Sequence, residues 1–279
     1  MTPPTRVPTA VKKAVNSSAS NSINTFIINS TNNSATAATV INNMTTIKTI
    51  TFDLDDTLWQ VKPMLIKAEQ QTYAWLLQNA PNIGQRFDQQ ALTQWRMQVH
   101  NNRPELAHQI SESRRIAIAE ALVEVGYPAA ESKDLAEQAF AVFIKARHQL
   151  DIFAEAEPLL QQLKTRYQLG VLTNGNADIR KLPIGHYFDF AYSAEQLNAS
   201  KPAPDLFHAA LQHSQCQPHE LVHIGDHIEH DVQGALDAGC HAIWLNWGDE
   251  ALPQGHKAHE VNGLAEVLAA VARIESGER

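Results

Sequence analysis

The sequence predicts an α/β protein: a mostly parallel sheet covered by helices on both faces, with a separate helical segment inserted near its beginning. Three observations predict it. A short β-prone run, Ile47 to Phe52, ends abruptly in the acidic stretch Asp53-Leu54-Asp55-Asp56-Thr57. From Val61 to about Leu150 apolar residues recur instead at helical spacing. After Pro158, short apolar runs alternate with helical ones, the rhythm of βαβ units.

Each element has its own justification. Ile47 to Phe52 mixes Ile with Thr and reads as a strand feeding a polar loop. The helical segment has breaks near Pro81-Asn82, Asn101 to Pro104 and Gly126-Tyr127-Pro128, leaving room for about four helices in a bundle. Beyond it the pattern predicts a helix from Pro158 to Thr165, a strand from Leu169 to Leu172, and a short strand near Phe190 to Ser193. A helix from Ala203 to His213, a strand from Leu221 to Ile224, a helix from Asp231 to Ala238 and a strand from Ala242 to Leu245 follow. In such a sheet the ligand site lies at the carboxyl ends of the strands, so the polar segments found there are expected to converge.

Composition narrows the function classes. Hydrophobic residues at 44% and charged residues at 19% are ordinary for a folded globular chain. A formal charge of −8 argues against nucleic acid as a partner, since binding a phosphate backbone needs a broad basic surface. One small phosphorylated molecule needs only a local positive site. Cys216 and Cys240 are the only cysteines, without a C-x-x-C pair, so a reducing, cytoplasmic setting is expected. No apolar run approaches the roughly 20 residues of a membrane span. Residues 1–46, rich in Ser, Thr and Asn, are expected to be a disordered low-complexity tail, with Met44 as the expected true start.

The strand ends carry Asp53-x-Asp55-x-Thr57, Thr173-Asn174-Gly175, Lys201-Pro202 and Gly225-Asp226-x-x-x-x-Asp231. Taken singly, the carboxylates could be helix caps, Asn174-Gly175 a turn and Lys201 a solvated cation. Their joint occurrence in this order gives them weight. Together they resemble the four motifs of the haloacid dehalogenase (HAD) superfamily of hydrolases, over Ile47 to about Trp247. The resemblance implies a Rossmann-like core at 47–60 and 151–279 and a helical cap at 61–150.

It also implies a magnesium-dependent phosphatase acting through an aspartyl-phosphate. Asp53 would be the nucleophile, and Asp55 would protonate the leaving alkoxide and then activate water. That second acid separates phosphatases from the superfamily's dehalogenases, because a departing halide needs no proton. Asp53, Asp226, Asp231 and the backbone carbonyl of Asp55 would supply oxygens to Mg²⁺. Thr173, the amides of Asn174 and Gly175, and Lys201 would bind the phosphoryl group, while Thr57 and Asp56 shape the loop.

His223, His227 and His230 flank Asp226 and are expected to be solvated or supporting groups, not ligands of a transition metal. Tyr73, Trp75 and Trp95 read as packing residues of the helical segment. Whole-chain resemblance extends to the YigB-type bacterial phosphatases, which act on FMN and on 5-amino-6-(5-phosphoribitylamino)uracil. Alternatives are a phosphatase of phosphoglycolate, sugar phosphates or nucleotides, a phosphomutase, or a binding protein that keeps the fold without turnover.

Overall fold

A computed structural model describes residues 46–248, 251–252 and 255–278; the expectations for residues 1–45, Met44 as start included, lie outside the described residues. The chain enters through β1 (Thr49–Phe52) and then forms α1 (Val61–Asn79), α2 (Gln89–Asn101), α3 (Ile110–Glu124) and α4 (Ala129–Arg147). It returns through α5 (Ala156–Lys164), β2 (Gln168–Thr173), β3 (Phe190–Ser193), α6 (Ala194–Leu197) and α7 (Asp205–Ser214). The remainder is β4 (Leu221–Gly225), α8 (Gly234–Asp237), β5 (His241–Leu245), β6 (His259–Val261) and α9 (Val267–Ser276).

The six strands among the described residues are all parallel, in the order β3-β2-β1-β4-β5-β6. The order reverses between β1 and β4, and a crevice opens at such a switch point. Phe52 lies opposite Val171 on one side and Ile224 on the other, so the residues that follow β1, β2 and β4 emerge at one level.

Burial on two faces explains the sequence of β1. Ile50 and Phe52 join a core with α5 and α9 through Leu160, Leu163, Val267 and Val271. Thr51 faces the other side, where its Oγ1 lies 2.9 Å from Nδ1 of His223 and where Phe207 and Ala210 of α7 pack with Leu172, Val232 and Trp244. Truncating Phe52 to Ala would remove a fully buried ring at a cost of about 3–5 kcal/mol.

The four-helix insertion breaks where the sequence indicated, at a 3₁₀ turn Pro81–Gln85, around Pro104 and at Gly126, whose φ of +96° suits a residue without Cβ. Trp95 donates to the Ala117 carbonyl at 3.0 Å and meets Phe87 edge-on; Tyr73 donates to the Phe87 carbonyl at 2.8 Å. Both chain crossings are tied together where they leave the sheet: Phe153 N–H donates to the Leu58 carbonyl at 2.9 Å, and Trp59 bridges to Ile152.

Two elements depart from the pattern. The helix expected from Asp231 to Ala238 begins earlier, as a π-helical turn over Ile228–Gln233 that runs into α8. At its start the His227 carbonyl accepts from the amides of both Asp231 and Val232, and the Asp231 carboxylate accepts the His227 amide at 3.0 Å. β6 and α9, beyond the last element read from the sequence, complete the sheet edge and one helical layer. No helix among the described residues is long and apolar enough to cross a membrane.

Candidate active site

Asp53 extends β1 by one residue, its N–H donating to the Ile224 carbonyl at 2.9 Å, and its carboxylate is buried at the sheet's carboxyl edge. The chain then turns tightly: the Leu54 carbonyl accepts from the amides of Thr57 and Leu58 at 3.2 and 2.9 Å. Asp56 takes a left-handed φ of 56°, which Asp tolerates better than most residues, and its Oδ1 accepts the Val61 amide at 2.9 Å, starting α1. Thr57 donates to Oδ1 of Asp226 at 3.1 Å and so ties the loop after β1 to the loop after β4.

Lys201 arrives from the far side. The Asn174 side chain clasps its backbone, Oδ1 accepting from the Lys201 amide at 2.8 Å and Nδ2 donating to its carbonyl at 3.0 Å. The ammonium donates to Asp53 Oδ1 at 2.8 Å, Asp231 Oδ1 at 2.5 Å and the Leu172 carbonyl at 2.6 Å. Its three hydrogens are thereby used. Asp231 is equally committed: Oδ1 also lies 3.2 Å from His223 Nε2, and Oδ2 takes the His227 amide.

These contacts set the charges. Burial opposes the ammonium of Lys201, but Asp231 and Asp53 outweigh it and hold the amine above its ordinary range. Burial would raise Asp231 too, yet Lys201 and His223 carry it well below the usual carboxylate range. Asp53 goes the other way: burial raises it, Lys201 offsets that only in part, and the Asp231 charge adds to the rise. Asp226 is pushed up to about 7, first by burial and then by Asp231, against the opposing bond from Thr57. Three neighbouring carboxylates therefore share one cation, which touches Asp53 and Asp231 but not Asp226.

Carboxylate oxygens of Asp53, Asp226 and Asp231 all lie within 4.8 Å of one another. An all-oxygen donor set with surplus negative charge fits a hard divalent cation and suits softer metals poorly. His227 and His230 stack on each other at 3.8 Å, while buried His223 is held between Thr51 and Asp231, its basicity lowered by burial.

At the end of β2, Thr173 Oγ1 accepts the Gly175 amide at 3.0 Å, which leaves its hydroxyl hydrogen to donate into the site. Gly175 packs against Asp55: a Cβ there would stand 2.6 Å from Asp55 Oδ2 and 3.6 Å from Arg147 Nη2. Asp55 is gripped by residues the sequence reading did not single out. Trp59 Nε1 donates to its Oδ1 at 2.8 Å, and Arg147 Nη2 lies 2.6 Å from both oxygens. A signal for Arg147 did exist. Ala136, Ala139, Phe140 and Phe143 mark the buried face of α4, and Arg147 continues that spacing as a charge on an apolar stripe.

A profile of haloacid dehalogenase-like hydrolases matches residues 47–239. The chain is 31% identical to the 5-amino-6-(5-phospho-D-ribitylamino)uracil phosphatase YigB of Escherichia coli, over 71% of this chain and 83% of that protein. It is 31% identical to a phosphoserine phosphatase of Thermus thermophilus, over 57% of this chain and 65% of the relative. Among solved structures, one described as a 2-haloacid dehalogenase from Pseudomonas syringae pv. Tomato matches with a TM-score of 0.77 and 39% identity, covering 81% of this chain and 99% of the other.

Proposed function

Since this chain belongs to the haloacid dehalogenase-like hydrolases, we propose that it is a magnesium-dependent phosphatase of a small metabolite in which Asp53 takes up the phosphoryl group. One observation carries the phosphatase reading over the dehalogenase one: a second carboxylate, Asp55, is held beside Gly175 two residues beyond Asp53. An alkoxide leaving group needs a proton donor at that point, and a halide does not.

The chain's own groups account for the steps. The Thr173 hydroxyl and the Asn174 amide receive the phosphoryl oxygens beside the Lys201 ammonium, while the Gly175 amide, expected to join them, is engaged by Thr173 Oγ1. A carboxylate oxygen of Asp53 attacks phosphorus in line, the bond to the leaving oxygen breaks, and Asp55 delivers the proton that this oxygen takes up. Water then attacks the same phosphorus while Asp55 accepts its proton, and the bond to Asp53 breaks to release inorganic phosphate. When bound by Asp53, Asp226, Asp231 and the carbonyl of Asp55, Mg²⁺ would offset the repulsion between carboxylate and phosphate. Since both oxygens of Asp231 are already engaged, its larger part is to hold Lys201.

For the substrate, the similarity to the Escherichia coli enzyme over most of both chains favours a ribityl phosphate, and FMN, which carries the same ribityl phosphate arm, is the second candidate. The test is phosphate release from p-nitrophenyl phosphate with and without Mg²⁺, with Asp53→Asn as control, followed by a panel containing FMN, phosphoglycolate, phosphoserine, sugar phosphates and nucleotides. The 39% identity to the Pseudomonas protein motivates a parallel assay of halide release from 2-haloacids. Halide release without phosphate release would reverse the assignment, and equal turnover across the panel would remove the flavin reading.

A further inference from the structure

We propose that Arg147 is the positioning residue for Asp55, fixing the direction from which that carboxylate meets the leaving group and the attacking water. The inference rests on the phosphatase reading given above. Arg147 closes α4, the last helix of the insertion, and its side chain is only 1% exposed. A buried guanidinium normally distributes its five hydrogens over several oxygens. Here Nη2 reaches both oxygens of Asp55, Nη1 meets only Met64 Sδ at 3.7 Å, and Nε has no partner. All of its oxygen contacts therefore fall on one carboxylate. A residue kept for packing would be better replaced by an apolar side chain, because burying a cation with unsatisfied donors is costly.

The restraint is directional. Trp59 Nε1 approaches Oδ1 from the first chain crossing, Arg147 approaches both oxygens from the end of α4, and Gly175 closes the remaining side. Trp59 is itself fully buried and bridged to Ile152 of the second crossing. Asp55 is thus oriented by the two places where the helical insertion joins the sheet. Lys201 and Asp231 do not contribute to this arrangement; they hold Asp53.

The experiment compares Arg147→Met and Arg147→Lys with the wild type on two aryl phosphates of similar shape, p-nitrophenyl phosphate and phenyl phosphate. Nitrophenolate departs without help, whereas phenolate is more basic and draws on a proton donor. Misdirecting Asp55 is expected to lower kcat on phenyl phosphate by on the order of a hundredfold in Arg147→Met, with KM almost unchanged. On p-nitrophenyl phosphate the first step should survive, giving a burst of nitrophenolate followed by slow hydrolysis of the phosphoenzyme. In an Asp55→Asn background, Arg147→Met should add almost nothing. Arg147→Lys, which keeps the cation on a shorter side chain, should show the same leaving-group dependence in weaker form and serves as the readout if the Met variant does not fold.

A rise in KM at constant kcat would overturn the proposal and make Arg147 a substrate-binding group. Equal losses in the rate of the first, phenol-releasing step on both esters, or full additivity with Asp55→Asn, would reduce it to a structural residue. Absence of phosphate release by the wild type would instead refute the phosphatase reading itself.

Discussion

The ammonium of Lys201 lies 2.8 Å from Oδ1 of Asp53, although 148 positions separate them in the chain. That contact, with the second bond to Asp231, keeps two buried carboxylates and one buried cation in a single cluster. Lys201→Met would leave Asp53 and Asp231 without this cation, and removing one partner of a buried pair costs about 3–5 kcal/mol. Urea denaturation should show that loss, together with loss of phosphatase activity; an unchanged unfolding midpoint would mean that the cluster relaxes to water.

Asp226 provides the pH dependence. Its folded-state value, about 7, stands above the ordinary 3.8, so between these limits the metal-free native state binds more protons than the unfolded chain. Stability from this group is therefore present at low pH and is lost as pH rises toward 7. A divalent cation competes with that proton. Mg²⁺ should raise Tm more at pH 8 than at pH 5.5, and binding near pH 6 should release protons measurable by calorimetry in buffers of different ionisation heat. Thr57→Val removes the hydrogen bond that opposes the rise, so it should move the onset of Mg²⁺ stabilisation to higher pH.

Two glycines beside the site leave no room for a side chain, each against a different carboxylate. At Gly225 a Cβ would stand 2.3 Å from Cγ of Asp231, which is locked by Lys201, His223 and the His227 amide. Gly225→Ala should cost about 1–3 kcal/mol of stability along with activity. At Gly175 the obstruction is the Asp55 carboxylate, which Arg147 and Trp59 hold in place. Gly175→Ala should push that carboxylate away from buried Arg147, so thermal unfolding beside steady-state kinetics should show a loss of kcat together with a loss of stability.

What could be read in advance follows from the range of the interactions involved. Asp53, Thr173 and Asp226 each close or directly follow a buried parallel strand, so strand pattern and site residue are adjacent in sequence. Arg147 and Trp59 were missed because their relation to Asp55 exists only once the two crossings meet. His223 was placed inside its strand, but its position between Thr51 and Asp231 depends on the pairing of β1 with β4. The three-residue β6 owes its conformation to pairing with β5 and carries His259 and Glu260, which give no strand signal.

The helical insertion is fastened to the sheet at a second place, through residues other than Asp55. Glu195, in α6, accepts the Ser111 amide at 2.6 Å in the first turn of the fifteen-residue α3, where unpaired N–H groups and the helix dipole favour an anion. Gln109 donates to the Glu195 carbonyl and to Asn198 beside it, and the Ser111 hydroxyl receives Asn176 at 3.2 Å. Asn176 follows the Thr173-Asn174-Gly175 segment directly, so this fastening bears on the loop proposed to hold phosphate without touching Asp53. Glu195→Ala should therefore act on binding more than on chemistry. KM should rise several-fold at nearly constant kcat, the Ser111 amide should exchange hydrogen faster, and global stability should fall by about 1 kcal/mol, since Glu195 is partly exposed. Glu195→Gln, which keeps an acceptor but not the charge, should fall between the two. A fall in kcat at unchanged KM would show that the contact governs the reacting groups themselves, and the separation drawn between the two fastenings would not hold.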